Sequence, residues 1–185
     1  EAYIPPQGDT LNIGSSGAQS TVYLDTTAPT IGTLEIGKGE DQAGRLGVLD
    51  GSSMTVTNTL RVGVDGRGLL ECMGGTLTAG EVLVAANQAS SGTVVIDGGT
   101  LDVQEITGGT GLAKLTMHSG QLRAQSVGFG WEQAGGTWSL PVDGSNSEVD
   151  GAYSLDKNAT LRFTMTTPSP DSITFGSLTV KGNAT

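Results

Sequence analysis

Four segments of the chain repeat one another, and that periodicity limits the fold more than any other feature. Residues 46–56 read LGVLDGSSMTV, 69–79 read LLECMGGTLTA, 93–103 read TVVIDGGTLDV and 114–124 read KLTMHSGQLRA. The matching Met54, Leu77, Leu101 and Leu122 are separated by 23, 24 and 21 positions. Within each unit, apolar and polar residues alternate with period two, the pattern of a half-buried strand and not of a helix. On the first strand the alternation is expected to align Gly47, Leu70, Val94 and Leu115, then Leu49, Cys72, Ile96 and Met117, all facing inward. A two-residue corner follows (Gly51-Ser52, Gly74-Gly75, Gly98-Gly99, Ser119-Gly120). Beyond it, Met54, Leu77, Leu101 and Leu122 turn inward again, followed by Val56, Ala79, Val103 and Ala124.

Each unit continues into a further short apolar stretch: Leu60/Val62, Val82/Val84, Ile106 and Val127/Phe129. Three short strands cannot bury a face alone, but stacked copies bury each inward column against the same column above and below. The expected fold is therefore all-β, a three-faced parallel β-helix or β-solenoid with coils of about 22 residues. No segment carries a helical apolar stripe. Residues 1–40 are expected to form an entry coil, with Leu11/Ile13, Val22/Leu24 and Leu34/Ile36 as its three strands. Residues 41–133 hold the regular coils. Residues 134–185 form a less regular β region that continues the solenoid, with a separate small sandwich from about 149 as the alternative.

Composition narrows the function classes. The 185 residues include 19 acidic and 9 basic side chains, for a net charge of -10. That balance argues against nucleic acid and anionic membrane as partners, because both require clustered Lys and Arg. No apolar run approaches the roughly 20 residues of a membrane-spanning helix, so membrane insertion is not expected. One Cys excludes an internal disulfide. The chain opens at Glu1, not Met, which fits processing or excision from a longer protein.

The Gly-rich blocks Met73-Gly74-Gly75-Thr76-Leu77-Thr78-Ala79 and Asp97-Gly98-Gly99-Thr100-Leu101-Asp102-Val103 resemble the repeats of bacterial secreted β-helical proteins. Such repeats occur in autotransporter passenger regions and in exported repeat proteins of planctomycete type. The opening Ile4-Pro5-Pro6-Gln7-Gly8-Asp9-Thr10-Leu11 is similar to the entry that precedes them. Ala159-Thr160-Leu161-Arg162-Phe163 and Gly176-Ser177-Leu178-Thr179-Val180 are similar to their C-terminal portions. The resemblance implies a β-helix and a secreted, extracellular or cell-surface setting, and carries over no catalytic residue.

Chemistry is sparse. Cys72 falls in an apolar column and His118, the one imidazole, at a strand-ending turn, so no nucleophile–base pair is expected and no catalytic residue is assigned. No cofactor is expected. Calcium would need several converging oxygens, for which Asp50, Asp65, Asp97 and Asp102 are the candidates by repeat position; the chain has no GGxGxD run. Glu71, Asp102 and Arg123 point outward in different coils, with Arg61 and Arg67 elsewhere, and form no column such as a polysaccharide-cleaving site would need. Trp131 and Trp138, in a Gly-rich setting, are the candidates for stacking on a glycan. The sequons at Asn158 and Asn183 matter only in a host that glycosylates them.

The ends of a solenoid present open strand edges. The leading expectation is a non-enzymatic extracellular structural protein that associates with itself end to end, through edge strands containing Leu11, Ile13, Leu178 and Val180, into a filament or surface fibre. The alternatives are an adhesin or passenger-type stalk binding a glycan or host surface, and, behind it, a polysaccharide-active enzyme.

Overall fold

The computed structural model describes residues 9–14, 19–140, 147–163, 166–169, 172–174 and 178–185. The chain winds into a parallel β-solenoid of about six turns, partner residues on successive turns lying roughly 23 positions apart. Among the described residues there is no helix.

The first face is a seven-stranded sheet of β2 (Ser20–Leu24), β4 (Ala43–Leu49), β6 (Arg67–Met73), β8 (Ser91–Ile96), β10 (Leu112–Met117), β13 (Trp131–Gln133) and β16 (Tyr153–Leu155). The other two faces belong to one eleven-stranded sheet creased along its length. β5 (Ser53–Val62), β7 (Thr76–Val84) and β9 (Thr100–Gly108) cross the crease. In β7, Ala79 and Val82 are buried while Gly80 and Glu81 between them face outward, so two consecutive outward residues turn the chain onto the third face. The same break occurs at Gln104 and Glu105 of β9. In β5 it takes one residue more, the register shifting between Val56 and Thr59.

Beyond β9 the two arms separate. β11 (Gln121–Arg123), β14 (Gly136–Ser139) and β17 (Ala159–Arg162) continue the second face. β1 (Thr10–Ile13), β3 (Thr33–Ile36), β12 (Ser126–Val127), β15 (Ser147–Val149) and β20 (Leu178–Val180) lie on the third. β18 (Thr166–Ser169) and β19 (Ser172–Thr174) form a small antiparallel pair of their own. Apart from that pair, the strands past residue 134 are added in parallel to the coils before them, with no separate sandwich among the described residues.

The interior is four stacked columns and their neighbours. On the third face Leu11, Leu34, Leu60, Val82, Ile106, Val127, Val149 and Val180 follow one another. On the second, Met54, Leu77, Leu101 and Leu122 are succeeded by Trp138 and Leu161. On the first, Leu46, Leu70, Val94 and Leu115 form one column, and Val48, Cys72, Ile96 and Met117 another. Leu70, Cys72, Leu77, Val94, Ile96 and Leu101 are fully buried. A coil this narrow buries only one residue per column per turn, which is why small and medium aliphatic side chains dominate it.

Two expectations require correction. In the first repeat, Leu46 and Val48 face inward, not Gly47 and Leu49; Leu49 stands opposite Met73 and Gly47 opposite Glu71. The corner there is Asp50-Gly51-Ser52, one residue longer than Gly74-Gly75, so aligning the units by their second strands shifts the first by one. In a strand, that shift moves every side chain to the other face. The entry coil is also assembled differently. β1 stacks directly under β3 on the third face, so Leu11/Ile13 and Leu34/Ile36 belong to successive turns. The second face of that coil is supplied by Thr27 and Ile31, which bridge to Ser53 and Val56.

The corner between the third and first faces repeats with its own rule. Gly14, Gly37, Gly63 and Ala85 all have left-handed backbone, at φ of 73°, 69°, 77° and 55°. At Gly63 a Cβ would lie 2.2 Å from the carbonyl oxygen of Ser91, so that turn admits no side chain, whereas one turn on the same corner takes the methyl of Ala85.

Candidate functional site

The groups capable of chemistry do not converge. Cys72 is fully buried between Val48 and Ile96, not beneath Leu49 as the shifted alignment had it. Burial among apolar neighbours pushes its thiol up to about 12, away from the thiolate a nucleophile requires. His118 is exposed, one residue past the buried Met117.

The outward charges pair across turns. Arg123 meets Asp102 at 3.3 Å, directly opposite it in the ladder, and Arg45 meets Glu71 at 2.5 Å. That contact, above all the hydrogen bond from the guanidinium, raises the Arg45 pKa. Glu35, only 5% exposed, is held by Arg61 at 3.0 Å and by Lys38 at 2.6 Å. Sequence reasoning left these pairs out, although opposite charges one coil apart, such as Glu35 and Arg61, were the available signal.

The aspartates considered for calcium are dispersed. Asp97 accepts a hydrogen bond from Ser119 and Asp65 one from Asn87, while Asp102 is tied to Arg123 and Asp50 is exposed at its corner. Among the described residues no three of His, Cys, Asp and Glu gather where a metal ion could be held.

Trp131 and Trp138 correct the glycan expectation. Their indoles are 4% and 0% exposed and offer no ring face to a sugar. They pack with Tyr153 into an aromatic cluster, Trp138 edge-on to both neighbours at centroid distances of 5.3 and 5.6 Å. The Trp138 indole N–H donates to the Ala124 carbonyl at 3.1 Å. Gln133, fully buried, succeeds Met117 in its column. Its Nε2 donates to the carbonyls of Gly136 and Thr160, both at 3.1 Å, and its Oε1 accepts from the Tyr153 hydroxyl at 2.5 Å. Burial pushes the Tyr153 phenol up to about 12. The flanking glycines suggested exposure in the sequence; in the structure they sit at the corners that turn the rings inward.

The remaining surface of interest is at the two ends of the stack. β1 pairs only with β3 and β2 only with β4, so their outer edges have no strand partner among the described residues. At the other end β17 pairs only with β14 and β20 only with β15. Leu11 and Ile13 therefore lie on the first strand of the third face, and Leu178 and Val180 on its last. The apolar columns surface there as well. Val22 is 42% exposed at one end and Leu155 39% exposed at the other, although both continue columns buried one turn further in; Phe163, one residue past β17, is 45% exposed. The sequon residues Asn158 and Asn183 are exposed near the second end.

Fold and surface together define the class: a parallel β-solenoid repeat protein whose distinguishing surfaces are its ends. Comparison with protein-family models, with curated proteins and with solved structures finds no match.

Proposed function

We propose that the protein is a non-enzymatic extracellular structural element that assembles end to end by strand pairing into a filament or surface fibre. The observation that carries this reading is the coincidence, at each end, of an open strand edge with uncovered members of the apolar columns. An open edge offers a row of N–H and C=O groups to a further strand, and pairing there buries the exposed Val22 and Leu155 along with it. The charge pairs along the flanks already join neighbouring turns. The extracellular setting rests on the likeness of the Gly-rich blocks to those of secreted β-helical proteins.

Sedimentation over a wide concentration range, with negative-stain microscopy of the same samples, tests the reading. Particles that lengthen with concentration at constant width are expected. A chain that stays monomeric at every concentration overturns it.

A further inference from the structure

The two ends differ in charge, and the difference fixes a direction. The described outermost layer at the N-terminal end, residues 9–14 and 19–32, carries Asp9 and Asp25 and no Lys or Arg. The described outermost layer at the other end, residues 153–163 and 178–185, carries Lys157, Arg162 and Lys181 against Asp156. In a protein of net charge -10, a positive end is a local exception. Lys181 is partly engaged by Glu148 at 2.5 Å, while Lys157 and Arg162 have no carboxylate partner among the described residues.

Resting on the end-to-end reading, we propose that copies join head to tail. The β20 edge of one copy lies parallel to the β1 edge of the next, with Val180 opposite Leu11 of the next copy. Three observations converge on this polarity and register. Every strand pairing in the two large sheets is parallel, and only a head-to-tail seam repeats that hydrogen-bond pattern; a head-to-head seam would turn it antiparallel. Leu11 is the first and Val180 the last member of one third-face column, so the seam continues that column without a slip. On the first face, Ala184 bridges to Tyr153 at the end of the column that Val22 begins, which sets Ala184 over Val22 of the next copy. On the second face this register leaves one strand position between β17 and the Thr27–Ile31 segment of the next copy that no described strand of the stack fills. Head-to-tail contact brings the acidic end against the basic one, whereas acid-to-acid contact repels.

Thr179 and Thr10 are both exposed and face each other in this register. Neighbouring strands bring opposed Cα atoms to about 4.8 Å, within disulfide reach. Oxidising a mixture of Thr10→Cys and Thr179→Cys proteins should give mainly the mixed cross-linked dimer, with little linkage of either variant to itself. Arg162→Glu combined with Lys181→Glu should weaken association about fivefold, and mixing with an Asp9→Lys, Asp25→Lys protein should restore it. Particles that lengthen with concentration but cross-link chiefly through like ends, or fail to cross-link in the mixture, overturn the head-to-tail seam and leave the fibre reading standing. Strict monomers in sedimentation overturn the fibre reading itself.

Discussion

The regular turns and the turns from Trp131 onward solve the same packing problem by different means. In β4 to β10 the strands run six to ten residues, and each interior column is an aliphatic series closed by backbone pairing alone. From β11 to β17 they run two to four residues, and the same columns hold Trp131, Trp138, Tyr153 and Gln133. One turn here is short: Thr116 pairs with Glu132, only 16 positions on. Aliphatic columns tolerate exchange because any neighbour of similar volume fills the gap. The later turns are specified by particular atoms: an indole N–H on a carbonyl, and a carboxamide satisfied three times over. The comparison teaches that repetition supplies stability cheaply in one region, while side-chain hydrogen bonding must replace it where the ladder shortens.

Truncating the aromatic cluster should break that comparison most severely. Trp138→Ala is expected to cost about 3–5 kcal/mol, measured by urea unfolding, against about 2–5 kcal/mol for Leu101→Ala two steps along the same column in the regular turns. Gln133→Leu separates the two regions by chemistry. It restores the aliphatic column yet leaves the Tyr153 hydroxyl and two carbonyls unpaired, and should destabilise by about 1–3 kcal/mol. A stabilised Gln133→Leu protein would show that the polar interior contributes nothing.

Alkaline titration probes one buried group from each region. Cys72 rises from its ordinary 9.0, and Tyr153 from 10.0, to about 12 in the folded chain. Above the lower values the unfolded chain gives up these protons while the folded chain keeps them. Stability is therefore complete below pH 9 and falls as pH rises toward 12, by up to about 1.4 kcal/mol per pH unit for each group. Cys72→Ala should flatten the fall in melting temperature from pH 9 upward, and Tyr153→Phe only from pH 10 upward. Unchanged slopes would show that neither group is sheltered as described.

The regular columns were legible because each turn repeats the same alternation, so Cys72 is found between aliphatics whichever way the first unit is aligned. The shift at Leu46 and Val48 was not legible, because nothing in the string DGSS shows that its corner holds one residue more than MGG. The entry coil was misassigned for a related reason: Leu11/Ile13 and Leu34/Ile36 look like faces of one turn until pairing shows them stacked. Leu11, Ile13, Leu178 and Val180 lie on the first and last described strands of the third face, and their part in assembly is the proposal made above. The charge difference between the ends emerged only when winding brought residues 153–163 and 178–185 into one layer.

In a parallel stack the ladder hydrogen bonds point along the long axis, so the direction of pulling decides how the molecule yields. Tension spread over an end face loads every bond of a layer on all three faces together. Tension applied through residue 185 opens the stack one strand after another, beginning at residues 183–185 on Tyr153 and Leu155 and passing next to the three-residue β20. In the proposed fibre, stretching loads all the bonds of a seam at once, while a caught loose end gives way by unwinding.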